Sequence, residues 1–127
     1  MTLTSRFLAI FFISTISTFV GVPLNAHAQD RLRIVTFNAH CLAAPGTNDS
    51  RIPRFRWGFA RIEHLESVAS LIETLDPDIT NLIEVTSAAA INNLVRILHE
   101  KGLDDYQGYH VESADRFTGF DVAMISR

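Results

Sequence analysis

The nine residues PDITNLIEV, at positions 77–85, determine how the rest of this sequence is interpreted. Residues 79–85 form a short run rich in β-branched and other apolar side chains, which is typical of a strand. Pro77 ends the segment before it, because proline lacks a backbone N–H and disfavours helical geometry in the preceding residue. Glu84 therefore places a carboxylate close to the carboxyl end of a predicted strand.

The sequence before residue 77 predicts a strand, a long loop and a helix. Residues 32–37 (LRIVTF) are predicted to form a strand that ends at Asn38. Residues 43–58 are rich in Pro, Gly, Asn and Asp, which predicts a loop. From Arg61 onward, apolar side chains recur at the 3.6-residue spacing of a helix. They are Ile62, Leu65, Val68, Ala69, Ile72 and Leu75.

The sequence after residue 85 predicts a second helix and two more strands. Thr86 or Ser87 can cap the helix, and Gly102 can end it. Residues 109–113 and 121–126 are each predicted to form a strand. The resulting β-α-β-α-β-β order favours a layered α/β fold.

The first 28 residues have the pattern of a secretory signal peptide. Arg6 precedes an apolar run over residues 7–22, and Ala26-His27-Ala28 supplies the small residues of a cleavage site. We therefore expect export to the periplasm or the extracellular space, with cleavage near Ala28 and a single mature domain at residues 29–127. The alternative is an uncleaved membrane anchor.

The composition of the chain excludes several protein classes. Hydrophobic residues make up 47% of the 127 residues and charged residues 20%, which is typical of a globular protein and not of a disordered one. The 14 acidic residues outnumber the 11 basic ones, so a strongly basic nucleic-acid-binding protein is not indicated. A single cysteine, Cys41, excludes an internal disulfide framework and a Cys-rich zinc module.

Asn38 and Glu84 are the candidate metal ligands. The two strands of a strand-helix-strand unit run parallel, so their carboxyl ends lie at the same edge of the sheet, where ligand sites are common. An amide oxygen beside a carboxylate suits Mg²⁺, which takes one or two protein ligands together with water and substrate phosphate. The alternative is a strand-ending asparagine in a turn and a solvated carboxylate.

The candidate phosphate ligands are Arg54, Arg56 and His40. The first two belong to residues 51–61, which contain four arginines, three aromatic residues and no acidic residue. Guanidinium groups match phosphate oxygens in geometry and charge. The alternative is that the aromatic side chains anchor this loop to the core and the arginines are solvated. His40 lies two residues after Asn38 and is followed by Cys41, and both are expected to line the site or support it.

Three motifs resemble the amino-terminal part of the endonuclease/exonuclease/phosphatase family, which includes deoxyribonuclease-like nucleases, sphingomyelinases and inositol-phosphate phosphatases. They are IVTFN at 34–38, PDITNLIEV at 77–85 and GFDVAMISR at 119–127. The resemblance implies an α/β sandwich of two sheets with helices outside. It also implies that Asn38 and Glu84 help to bind a divalent cation, usually Mg²⁺, with Mn²⁺ or another divalent cation as the alternative.

The activity that the resemblance implies is metal-dependent phosphoester hydrolysis. The substrate would be a nucleic acid, a phospholipid headgroup or a sugar phosphate, and no obligate protein partner is indicated. Ile83 departs from the family pattern, because many relatives have Gln before the glutamate. The family's catalytic His and Asp motifs have no match in residues 30–127, so we expect the catalytic acid and base beyond Arg127 and expect this chain to be an inactive fragment. The alternative is a non-catalytic exported module that binds a phosphate ligand.

Overall fold

The computed structural model describes residues 31–47 and 58–127. Its elements are β1 (Ile34–Leu42), α1 (Gly58–Leu75), β2 (Ile79–Val85), α2 (Ala88–Glu100), β3 (Gln107–Val111) and β4 (Asp121–Ser126). This order confirms the predicted α/β fold with its β-α-β-α-β-β arrangement. The expected signal peptide, and the candidate phosphate ligands Arg54 and Arg56, lie outside the described residues. Neither α1 nor α2 is long and apolar enough to span a membrane.

The four strands form one mixed sheet in the order β1-β2-β4-β3. β1 and β2 are parallel, as the connecting helix requires, with Asn38 opposite Ile83. β4 runs antiparallel to both of its neighbours, β2 and β3. The carboxyl ends of β1, β2 and β3 and the first residue of β4 therefore lie at one edge of the sheet, which we call the carboxyl edge.

Both helices contribute to one core on one face of the sheet. Alternate strand residues, among them Leu82, Ala123 and Ile125, are buried in the same apolar cluster as Leu65 of α1 and Leu94 of α2. Each leucine or isoleucine buried in this way stabilises the fold by about 1.5–3 kcal/mol.

The opposite face of the sheet, which we call the open face, is only partly covered. Five of its apolar side chains keep between 42% (Ile83) and 61% (Val111) of their surface exposed. The others are Ile34, Tyr109 and Val122. Strand alternation with period two puts these residues on the side away from the helices. Asn38 belongs to this face, because it pairs in register with Ile83.

The predicted bounds of two strands are wrong at both ends. β1 begins at Ile34 rather than at Leu32. β1 does not end at Asn38 but continues to Leu42, which pairs with Val85 after an irregularity in the ladder. β3 spans Gln107–Val111 rather than 109–113, because the backbone N–H of Ser113 donates to the Asp121 carboxylate at 2.8 Å instead of joining the strand.

The other elements follow the predictions closely. β2 and β4 have the predicted bounds, and α1 begins at Gly58, three residues before the predicted start. Ser87 is the N-cap of α2, and its hydroxyl accepts the backbone N–H of Ala90 at 3.3 Å.

An ion-pair network closes the edge opposite to the carboxyl edge. The Arg33 backbone N–H donates to Asp78 Oδ2 at 2.7 Å, and Arg127 Nη1 contacts Asp76 Oδ1 at 2.5 Å. The Arg127 hydrogen bond lowers the pKa of Asp76, and the Arg33 backbone hydrogen bond lowers the pKa of Asp78. The network thus joins the starts of β1 and β2 to the end of β4.

Candidate metal and phosphate site

Asn38 and Glu84 are in direct contact at the carboxyl edge. Asn38 Nδ2 donates to Glu84 Oε1 at 2.7 Å, across a sequence separation of 46 residues. The parallel pairing of β1 and β2 brings the two residues together, as the strand-helix-strand argument predicts. Their role as metal ligands remains a prediction, but their proximity is a feature of the fold.

Two irregularities in the sheet produce this contact. In the β2–β4 ladder, Ile83 pairs with Val122 and Val85 with Asp121, so Glu84 is the extra residue of a β-bulge. Glu84 has a φ of 60°, in the left-handed region that costs a residue with a Cβ atom about 1–2 kcal/mol.

The facing part of β1 is strained in the same way. Residues 39–41 have no partner in the β1–β2 ladder, and His40 and Cys41 have φ values of 52° and 61°. In the described part of the chain, three of the four non-glycine residues with positive φ therefore surround the Asn38–Glu84 contact. Strain of this kind recurs at functional sites, where the surrounding structure holds it in place.

Each polar atom of the pair has a defined partner. Asn38 Oδ1 accepts the backbone N–H of His40 at 2.7 Å, which turns the amide nitrogen towards Glu84. The thiol of Cys41 lies 3.7 Å from Glu84 Oε2, in hydrogen-bond range for sulfur. Cys41 therefore contacts the Glu84 carboxylate from the bulged part of β1.

The donor set fits Mg²⁺. A carboxylate and an amide supply hard oxygen atoms, and each oxygen keeps a lone pair beyond the hydrogen bond that it accepts. Mg²⁺ is commonly held by one or two protein ligands and completes its shell with water and substrate oxygens. Within residues 31–47 and 58–127, no group of three or more His, Cys, Asp or Glu side chains could hold a metal ion. A cation bound here would therefore depend on the two-ligand arrangement of Asn38 and Glu84.

His40, the third candidate for a phosphate ligand, lies on the bulge beside Asn38 and is exposed. The nearby Arg61 has a structural position instead. It is buried, and its guanidinium group donates to the backbone carbonyls of Ala44 and Thr47. His64 Nε2 lies 2.7 Å from the carbonyl oxygen of Ala39, so α1 is attached to the bulge from the helix side.

The carboxyl edge carries a second polar cluster that the sequence analysis did not predict. His110 Nε2 lies 2.9 Å from Asp121 Oδ2, and Asp121 is only 8% exposed. Both residues line a cavity of about 420 Å³ beside the amino terminus of α2. Spacing along the chain gives no signal for this pair, because the two residues meet only through the antiparallel register of β3 and β4.

The carboxyl edge therefore carries two arrangements of functional groups. One is the Asn38–Glu84 pair on strained backbone, and the other is the His110–Asp121 pair with its cavity. Comparisons of this chain with protein-family models, with curated proteins and with solved structures find no match.

Proposed function

We propose that this protein is an exported phosphoester hydrolase that depends on a divalent metal ion. The observation that carries the proposal is the 2.7 Å contact between Asn38 and Glu84, held by strained backbone on both strands. Such strain destabilises the fold, so its concentration around one carboxylate and one amide favours a functional role for these two side chains.

Asn38 and Glu84 would hold the cation at the carboxyl edge. When bound, Mg²⁺ or Mn²⁺ supplies positive charge that polarises a phosphoryl oxygen and stabilises the leaving oxygen. The Cys41 thiol contacts the Glu84 carboxylate, whereas the Asn38 amide presents Nδ2 to Glu84 and Oδ1 to the His40 backbone N–H. Binding of the cation would therefore replace the Asn38–Glu84 hydrogen bond with contacts from both oxygen ligands. His40, Arg54 and Arg56 are proposed to bind the substrate phosphate.

Within the α/β class, we propose the two-sheet sandwich of the endonuclease/exonuclease/phosphatase type. The apolar open face supports this proposal, because exposed side chains such as Tyr109 and Val111 are suited to packing against a second sheet about 10 Å away. A shallow cavity of about 390 Å³ runs along this face between Ile83 and Met124.

Hydrolysis of bis(4-nitrophenyl) phosphate with and without Mg²⁺ or Mn²⁺ tests the proposed activity. In a protein that carries this chain together with the catalytic groups expected beyond Arg127, we expect turnover that a chelator abolishes. We expect Glu84→Gln to lower it at least about tenfold, since a carboxamide loses the negative charge that holds the cation. Glu66→Gln is the matched control, because Glu66 is exposed on α1, which packs on the face of the sheet opposite to Asn38. Equal losses in both variants, or turnover that the chelator leaves unchanged, would contradict the proposal.

The phosphate ligands are tested by binding of inorganic phosphate in the presence of Mg²⁺. Arg54→Ala and Arg56→Ala are expected to weaken binding, whereas Arg96→Ala is the control, because Arg96 forms only a surface ion pair with Glu100. Phosphate binding without turnover of any phosphoester would favour the alternative function, an exported module that binds a phosphate ligand.

Export is tested by the intact mass of the protein recovered outside the cytoplasm. A mature chain that begins at Gln29 is expected from the small residues at positions 26 and 28. A recovered chain that still begins at Met1 would contradict signal cleavage.

A further inference from the structure

The cavity beside α2 is built from polar groups of three separate segments. It is lined by the residues that follow β2, by His110 at the end of β3, and by the connection from β3 to β4. Its polar side chains include Thr86, Ser87, His110, Glu112, Asp115 and Asp121. The described residues that line it include three carboxylates and no Lys or Arg, which disfavours a phosphate group and favours an uncharged one.

Among the described residues, the imidazole of His110 has a hydrogen-bond partner at Nε2 only. Asp121 Oδ2 binds Nε2 at 2.9 Å, while Asp121 Oδ1 accepts the Ser113 backbone N–H at 2.8 Å. An ionised carboxylate only accepts hydrogen bonds, so Nε2 is the nitrogen that donates. A histidine oriented in this way by a carboxylate has the arrangement that general acid–base catalysis uses.

The cavity adjoins the proposed metal site. Thr86 and Ser87, which line it, directly follow Val85, and Val85 is the register partner of Asp121. Glu84 is the bulged residue immediately before that pair. The cavity therefore lies one strand away from Glu84 along the carboxyl edge, on the side of the sheet that α2 covers.

We propose that this cavity receives the leaving group of the phosphoester, an uncharged hydroxyl-bearing alcohol, and that His110 gives it a proton. In this step the oxygen of water bonds to phosphorus as the bond from phosphorus to the leaving oxygen breaks. The leaving oxygen takes the proton from the Nδ1 of protonated His110, and the attacking water releases a proton to solvent, from which His110 is reprotonated. Asp121 is a positioning residue that acts through His110. The inference rests on the proposed hydrolase function, and it places the proton donor of the leaving group at His110 rather than beyond Arg127, where the family resemblance puts the catalytic acid.

Two esters with different leaving groups separate this role from a structural one. A 4-nitrophenolate leaves without protonation, whereas the alkoxide of a glycerol phosphodiester needs a proton donor. His110→Gln and Asp121→Asn should lower the rate of hydrolysis of the glycerol ester by about 10²-fold, which is the lower end of the effect of general acid catalysis. The rate of hydrolysis of bis(4-nitrophenyl) phosphate should stay within a few-fold of the wild-type rate. Retained activity on the nitrophenyl ester also shows that each variant is folded. His99→Gln is the control, because His99 Nε2 binds the carbonyl of Tyr106 and does not line the cavity.

The outcomes distinguish this inference from the proposed function. Equal losses on both esters in the His110 variant would overturn the proton-donor role, as would no loss on either. If neither ester is hydrolysed by the wild-type protein, the hydrolase function fails together with the inference. The imidazole ¹⁵N signals of the metal-free protein give an independent readout. They should show His110 protonated at Nε2 in its neutral form, and Asp121→Asn should alter this pattern; protonation at Nδ1 would overturn the assigned orientation.

Discussion

The left-handed backbone at Glu84 makes a prediction about stability that is independent of any ligand. Glu84→Gly and Glu84→Ala both remove the contacts of the carboxylate with Asn38 and Cys41, so the difference between them isolates the backbone. At a φ of 60°, alanine bears a steric cost of about 1–2 kcal/mol that glycine does not. Glycine in turn loses about 0.4–1 kcal/mol more through the entropy of the unfolded chain. The glycine variant should therefore be more stable than the alanine variant by about 1 kcal/mol.

The same pair of substitutions at Asn81 is the matched control. Asn81 is another polar residue of β2, and it lies exposed in the regular part of the ladder opposite Thr36. There alanine should be more stable than glycine by about 0.5–1 kcal/mol, the ordinary order for a strand. Urea unfolding with linear extrapolation measures all four variants. If alanine is as stable as glycine at position 84, the strained bulge is not a property of the folded protein.

Three further predictions concern the fold around the site. Gly108→Ala should destabilise the protein by about 1–3 kcal/mol in urea unfolding, because the added Cβ would lie 2.5 Å from Ile91 Cγ2 and 2.9 Å from Val95 Cγ2. Unchanged stability would contradict the packing of α2 on β3. Thr80→Val should stabilise it by about 1 kcal/mol, since the fully buried Thr80 hydroxyl has no hydrogen-bond partner among residues 31–47 and 58–127; a loss of stability would contradict an unpartnered hydroxyl at this position. The pKa of Asp78 is lowered in the folded state, so its contribution to stability is present above the ordinary value of 3.8 and is lost as the pH falls below it. Asp78→Asn should therefore reduce the acid sensitivity of thermal unfolding, and an unaltered pH profile would contradict the role of the ion-pair network.

Much of the fold follows from local patterns in the sequence. β2 and β4 have their predicted bounds because both are short apolar runs between clear turn signals. The contact between Asn38 and Glu84 was predictable because parallel strands joined by a helix place their carboxyl ends together. Each of these inferences needed only periodicity, turn residues and the handedness of a crossover.

The parts that sequence reasoning missed depend on tertiary contacts. The extension of β1 to Leu42 requires left-handed His40 and Cys41, and neither residue type signals that conformation in advance. The His110–Asp121 pair depends on the register between β3 and β4, which one residue of slip would destroy. Both the strain and the second polar cluster are therefore visible only once the sheet is assembled.

Binding of Mn²⁺ to the protein tests the account most directly, because it reports on Asn38 and Glu84 without requiring turnover. Paramagnetic Mn²⁺ should selectively broaden the backbone amide signals of residues 38–41 and 83–85, and Mg²⁺ should reverse this by competition. Glu84→Gln should remove the broadening, whereas Glu66→Gln should retain it. Broadening centred on other carboxylates, or broadening that persists in Glu84→Gln, would contradict a metal site at the carboxyl edge.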